Sequence, residues 1–237
     1  MKFLILSKTD RAKYRGIARV FSYLGINVSF PDKAIQKDNY ALVISDEFCL
    51  PYAKQVSESV YSDPIDWSMD TFSNGQDSVK TDVSYIGEFD KVASDLLPEY
   101  ADINNRYTFK VFGPKELNHI EGWFWNDTPA NVAKNTKLSL LLNSPQEFYW
   151  ESIFYCKPIL DPLQKWGGLN VSPEIALNNY SIYQNEAKSL RDKMWSSNTY
   201  FHEVDKIFRK LDSKVVRPLH ESLLVKYEEN RIYRRQS

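Results

Sequence analysis

The sequence predicts an α/β protein built from two Rossmann-like domains with helices at its C-terminal end. Three observations carry this. Apolar strand-like runs alternate with helix-spaced segments from the first residues. The same alternation restarts near residue 82 after a polar stretch. From about residue 173 the pattern becomes helical throughout. The chain has 237 residues, 43% of them hydrophobic and 26% charged, the balance of an ordinary globular protein.

KFLILS reads as a buried strand. DRAKYRGIARVFSYLG places Tyr14, Ile17, Val20, Phe21 and Leu24 on one helix face, with Asp10 as a cap and Gly25 as the stop. INVSFPD and YALVIS are the next strands. Residues 58–80 carry Ser, Asp, Asn and Gly with weak periodicity and read as a linker. DVSYIG, RYTFKVFG, HIEGWFW, LSLLLN and KPILD are the strands of the second unit. EFDKVASDLLPEY is a helix expected to stop near Pro98. TPANVAKNTK is capped by Thr128 and QEFYWESIFYC is the third. Ser172-Pro173-Glu174 starts one long helix through Trp195, and two more follow at about 199–212 and 218–232. The expected domains are 1–75, 76–172 and a helical segment, 173–237, bridging the two.

Composition limits function. A net charge of −1 excludes a uniformly basic nucleic-acid binder but not a local basic face. The only two cysteines, Cys49 and Cys156, and three scattered histidines show no metal-ligand spacing. The apolar run at the N-terminus is too short for a signal-peptide core and no run reaches a membrane span, so a soluble, cytoplasmic protein is expected.

Ligands of open α/β sheets bind beyond the carboxyl ends of the strands. Gly87, Gly113, Trp125 and Asn143 stand at such ends, and Lys91 lies in the helix turn after Gly87, where phosphate is attracted. The order of DVSYIGEFDK, RYTFKVFG, HIEGWFW, LSLLLNSP and ESIFYCKPIL resembles the donor-binding half of GT-B glycosyltransferases, including the CgeB-like and family-4-like members. The resemblance covers residues 80–165. In that family a glutamate begins the helix of a pattern E-A-x-x-x-G-x-P-V-[IVL], matched here by Glu151, Ser152, Cys156, Pro158, Ile159 and Leu160.

The resemblance implies that Glu151 bonds the ribose of a nucleotide-sugar, a UDP-sugar in the first instance, and that Lys91 contacts its diphosphate. Trp125 falls in the base-contacting region. No obligatory metal is expected, since no Asp-x-Asp motif occurs. Three positions depart from the pattern: Asn143 replaces a glutamate, Cys156 a glycine, and Glu88 a basic residue. Asp46, Glu47 and Asp10 are alternative bases for deprotonating an acceptor hydroxyl. Lys8, Arg11, Lys13 and Arg15 suit a phosphate backbone. The small first unit with its basic cluster resembles phage DNA-modifying glycosyltransferases, with a hydroxymethylated pyrimidine as acceptor, acting in the host cytoplasm if phage-encoded. A surface glycan, a lipid-linked sugar, or a non-catalytic nucleotide-binding or partner-binding role are the alternatives.

Overall fold

Two parallel sheets organise the computed structural model, which describes residues 1–8, 11–31, 40–72, 79–101, 106–124, 127–211 and 217–236. The chain divides into two units. Unit 1 comprises Met1–Phe72 and Ser197–Ser237, and unit 2 comprises Ser73–Ser196.

Unit 1 holds β1 (Lys2–Leu6), α1 (Arg11–Tyr23), β2 (Asn27–Ser29), β3 (Leu42–Ser45), α2 (Leu50–Val56) and β4 (Val60–Tyr61). Its sheet runs β2-β1-β3-β4, all parallel, with Phe3 opposite Val28 and Leu42. The strands are apolar on both faces because both are covered. Phe3, Ile5 and Ile44 pack with α1 residues Ile17, Val20 and Phe21 and with Val204 and Phe208 from the C-terminal segment. Leu4, Leu6 and Val43 face α2 through Ala53. Gly25 ends α1 in the left-handed region, φ 78°, as the sequence predicts.

Residues 58–72 are not a linker. β4 extends the sheet, Ile65 and Met69 are buried, and the Met69 amide donates to the Asn198 carbonyl (2.9 Å). That partner lies far along the chain, so local periodicity carries no trace of it. α2 has no counterpart among the expected elements.

Unit 2 holds β5 (Thr81–Ile86), α3 (Lys91–Ala101), β6 (Phe109–Phe112), β7 (Trp123–Phe124), α4 (Pro129–Asn135), β8 (Thr136–Leu140), α5 (Gln146–Phe154), β9 (Ile159–Leu160), α6 (Pro173–Asn178) and α7 (Tyr180–Trp195). The sheet order is β7-β6-β5-β8-β9, all parallel. At its N-terminal edge the Asp82 carboxylate accepts from the Thr108 amide and hydroxyl and from Lys137 Nζ (2.7 Å), latching the central strand to both neighbours. Burial pushes that carboxyl up, but these donors together hold it below its ordinary value.

Two expected boundaries are corrected. α3 runs through Pro98 to Ala101. The missing amide removes one bond near the helix end, while Leu97 and Ala101 are buried one turn apart. The long helix from Pro173 breaks at Asn179, whose side chain donates to the Ile175 carbonyl (2.9 Å) and competes with the backbone ladder. α6 and α7 therefore belong to unit 2. α8 (Tyr200–Leu211) and α9 (Arg217–Gln236) belong to unit 1.

Candidate functional site

In unit 2 the connections leave the central strand in opposite directions. β5 leads through α3 to β6 on one side, while β8 lies on the other. The loops after β5 and β8 therefore diverge at the carboxyl end of the sheet, the place where open α/β folds form a binding crevice. Gly87 and Asn143 follow those two strands.

Both glycines are required by packing. A Cβ at Gly87 would lie 2.0 Å from the Tyr85 hydroxyl, and one at Gly113 would lie 2.7 Å from the Gly87 carbonyl oxygen. Tyr85 is fully buried. Burial, then the Asp90 and Glu88 carboxylates, raises its phenol from the ordinary value, and its hydroxyl donates to the Glu88 carbonyl (3.3 Å).

The first turn of α3 already holds an anion. Asp90 accepts from the Ala93 amide (2.7 Å). That bond first, then Asn143, Lys165 and the Val92 amide, holds its carboxyl below the ordinary range against the opposing effect of burial. Asn143 donates through its amide nitrogen to Asp90 and accepts from Lys165 Nζ on its oxygen (2.8 Å). Asp90, Asn143 and Lys165 thus form one chain across the crevice. Lys91, expected to meet phosphate, is exposed at the start of α3 beside the capped turn.

α5 opens on the other side of the crevice. Its N-cap, Pro145, makes no side-chain cap bond, and its first turn carries Glu147. Ser144, just before it, is 8% exposed, and its buried hydroxyl has no hydrogen-bond partner among the described residues. Glu151 does not begin this helix. It is the sixth residue of α5, roughly 7.5 Å along the axis from Gln146 at 1.5 Å per residue, and it is buried.

At the other end of α5, Cys156 adopts φ 52°. Its amide donates to Ile153 (3.0 Å) and the Lys157 amide to Ser152 (2.8 Å), the two bonds of a Schellman termination. This is the position where the resemblance expects glycine. Cys156→Gly is therefore expected to change stability by no more than about 1 kcal/mol, and Cys156→Val to cost about 2 kcal/mol or more, measured by urea unfolding.

Lys165 is placed by a loop that carries no motif in the sequence. Asp161 is fully buried. Its Oδ1 accepts from the Lys165 amide (3.0 Å), and its Oδ2 accepts from the Trp166 (2.6 Å) and Gly168 (3.3 Å) amides. Trp166 stacks on Tyr149, centroids 5.2 Å apart, and lines a hollow of about 220 Å³ with Lys157, Tyr183 and Glu186.

Unit 1 has its own point of divergence, between β1 and β3. Asp46 stands there, buried. Its Oδ2 accepts from the Lys8 amide (2.7 Å) and its Oδ1 from the Cys49 amide (2.9 Å), so the carboxylate braces both loop ends. Burial first, then Asp46, pushes the Cys49 thiol up. Glu47 is exposed beside it. The Arg11 guanidinium lies 4.9 Å from the Phe30 centroid and donates to the Pro31 carbonyl (3.3 Å), and Lys13 lies over Tyr14. Lys8 and Arg15 are exposed. Asp10 and Trp125 lie outside the described residues.

Among the described residues no group of three or more His, Cys, Asp or Glu is placed to hold a metal ion, and no helix is long and apolar enough to cross a membrane. Asp90 carries a recognisable cap signal, an aspartate at a helix start. Ser144 is placed by its neighbour Asn143 at the strand end, and Lys165 carries no signal, because only the tertiary fold brings it to Asn143. No protein-family model matches the chain, and no curated protein matches it in sequence.

Proposed function

We propose that the protein is a nucleotide-sugar-dependent glycosyltransferase of GT-B-like organisation, with the donor on unit 2 and the acceptor on unit 1. The observation that carries the reading is the gathering of Asn143, Ser144 and Lys165 at the unit 2 crevice, beside a helix start without a side-chain cap. Helix amides, a buried hydroxyl lacking a partner and an ammonium group suit the diphosphate of a nucleotide-sugar. Lys165 takes the role first expected of Lys91, since Asp90 already occupies the α3 terminus. Two further features support the reading: the left-handed Cys156 at the glycine position of the pattern, and the return of α8 and α9 to unit 1.

Electrostatic stabilisation of the departing diphosphate and positioning of the acceptor hydroxyl supply the catalysis in this reading. Glu47 or Asp10 is the preferred base, because both oxygens of Asp46 already accept backbone amides. The acceptor we favour is a hydroxymethylated pyrimidine in DNA, on the strength of the basic residues of α1.

Thermal unfolding with UDP, GDP, ADP and CMP and their common sugar conjugates tests the donor half. At a ligand concentration 100 times Kd, stabilisation of about 2.7 kcal/mol is expected for one of them. Lys165→Ala and Glu151→Ala are each expected to weaken that binding by about 1–3 kcal/mol. If none of the nucleotides stabilises the protein, the donor reading fails. Sugar transfer to hydroxymethylcytosine DNA, followed by mass spectrometry, tests the acceptor. Turnover on a glycan or lipid-linked sugar instead would reassign it, and nucleotide binding without any turnover would favour a non-catalytic role.

A further inference from the structure

α1 has a second organised face. Its buried side carries Tyr14, Ile17, Val20 and Phe21. Arg11, Arg15 and Arg19 recur at four-residue spacing and form a stripe along another side. The three arginines are committed to different degrees. Arg11 is held by Phe30 and Pro31, and Arg19 pairs with Asp70 while its side chain remains 52% exposed. Arg15 is exposed and forms no hydrogen bond or ion pair with any described residue.

The stripe runs into an open groove of about 520 Å³ lined by Arg15, Ala18, Arg19, Ser22, Tyr23 and Phe72. The Tyr23 and Phe72 rings meet edge-on, centroids 5.2 Å apart. Tyr23 is 37% exposed, and the Lys226 ammonium lies 5.5 Å from its ring centroid. Cations therefore line one part of the groove and a partly exposed ring lines another. An acidic peptide would use the cations and leave the ring idle. An apolar helix would bury two guanidinium groups. A nucleic-acid strand uses both, its phosphates on arginine and a base on the aromatic ring.

We propose that this groove binds a single-stranded segment of nucleic acid, with Arg15 and Arg19 on the backbone and Tyr23 stacking a base. A duplex keeps its bases stacked and offers no base face to Tyr23. The inference rests on the nucleic-acid acceptor proposed above and names the form in which it is held: a displaced strand rather than an intact duplex.

Fluorescence anisotropy of the full chain with labelled oligothymidylate, oligouridylate and a duplex, between about 50 and 200 mM salt, tests it. A single strand is expected to bind with a slope of log affinity against log salt near −1.4, about 0.7 for each of two phosphates. Arg15→Glu, on an exposed position, should lower affinity at least tenfold and flatten the slope. Tyr23→Ala should lower affinity about tenfold with the slope kept, and Tyr23→Trp should restore it. Preference between the thymidylate and uridylate strands tells DNA from RNA.

Absence of single-strand binding at the lower salt, indifference to Arg15→Glu, or tighter binding of the duplex would overturn the proposal. The two readings fail separately. Sugar transfer to modified DNA that is unchanged in Arg15→Glu removes the groove and keeps the enzyme. Groove-dependent strand binding without nucleotide binding removes the enzyme and keeps the groove.

Discussion

Asp161→Ala is expected to destabilise unit 2 by about 3 kcal/mol, seen as a fall in Tm of about 10 °C. The side chain is fully buried and its two oxygens accept three backbone amides of residues 165–168. Alanine leaves those donors without their carboxylate. Other ties of the loop are Gln164 on the Asp161 carbonyl, the pairing of Leu160 with Leu169, the Trp166–Tyr149 stack and Lys165 on Asn143, and none of them takes up the three amides. Asp161→Asn retains one accepting oxygen and should lose about half as much. The loop also places Lys165 on Asn143, so under the proposed donor site the alanine variant should bind nucleotide more weakly even well below its Tm. An unchanged Tm would show that the strand pairing, the Trp166 stack and the Gln164 and Lys165 bonds hold the loop without the carboxylate.

Gly16→Val should cost unit 1 about 3 kcal/mol. A Cβ at Gly16 would lie 2.1 Å from Cε2 and 2.2 Å from Cδ2 of Tyr200, so the ring rests directly on the α1 backbone. Tyr200 is 4% exposed and packs in the core with Phe21, Phe201 and Val204, which leaves it nowhere to move. The intrinsic helix preference of valine over glycine offsets only a few tenths of a kcal/mol. A double-mutant cycle with Tyr200→Leu separates the clash from the propensity effect. Recovery of most of the loss in the double variant is the expected result, and strictly additive losses would contradict the contact.

The strand-and-helix alternation was legible in the sequence because it is local. Apolar runs marked β1, β3, β5 and β8, Gly25 marked the end of α1, and Thr128 and Ser172 marked two helix starts, each accepting from the amide three residues on. What was missed is non-local. β4 and Met69 look polar or irregular in sequence and are fixed by partners elsewhere in the chain. Pro98 was read by its usual effect, and burial of Leu97 and Ala101 overrode it. Of the candidate site, Gly87 and Asn143 were identifiable from strand ends. A helix start at Glu88, three residues before the observed start of α3 at Lys91, hides Asp90 as the cap. Ser144 directly follows Asn143 and needed only the strand-end argument, whereas Lys165 meets Asn143 only once the 161–168 loop is folded. In α1, the sequence cluster joined Lys13 to the arginines, whereas helix geometry separates it and adds Arg19 to the stripe.

The division of the chain also sets an order of synthesis. Unit 2 is one continuous stretch, Ser73–Ser196, but unit 1 is made of one segment translated before it and one translated after it. Tyr200, Phe201, Val204, Ile207 and Phe208, which cover the sheet-side faces of Phe3 and Phe21, leave the ribosome after all of unit 2. At about 5–20 residues per second, the stretch from Tyr23 to Tyr200 keeps the β1–α1 segment waiting roughly 9–35 s for its partner helices. During that interval its apolar face is open to solvent and to chaperones, while unit 2 is free to complete its own core. The earlier segment of unit 1 thus becomes native only after unit 2 has been made, and α8 and α9 act as the clasp that closes it.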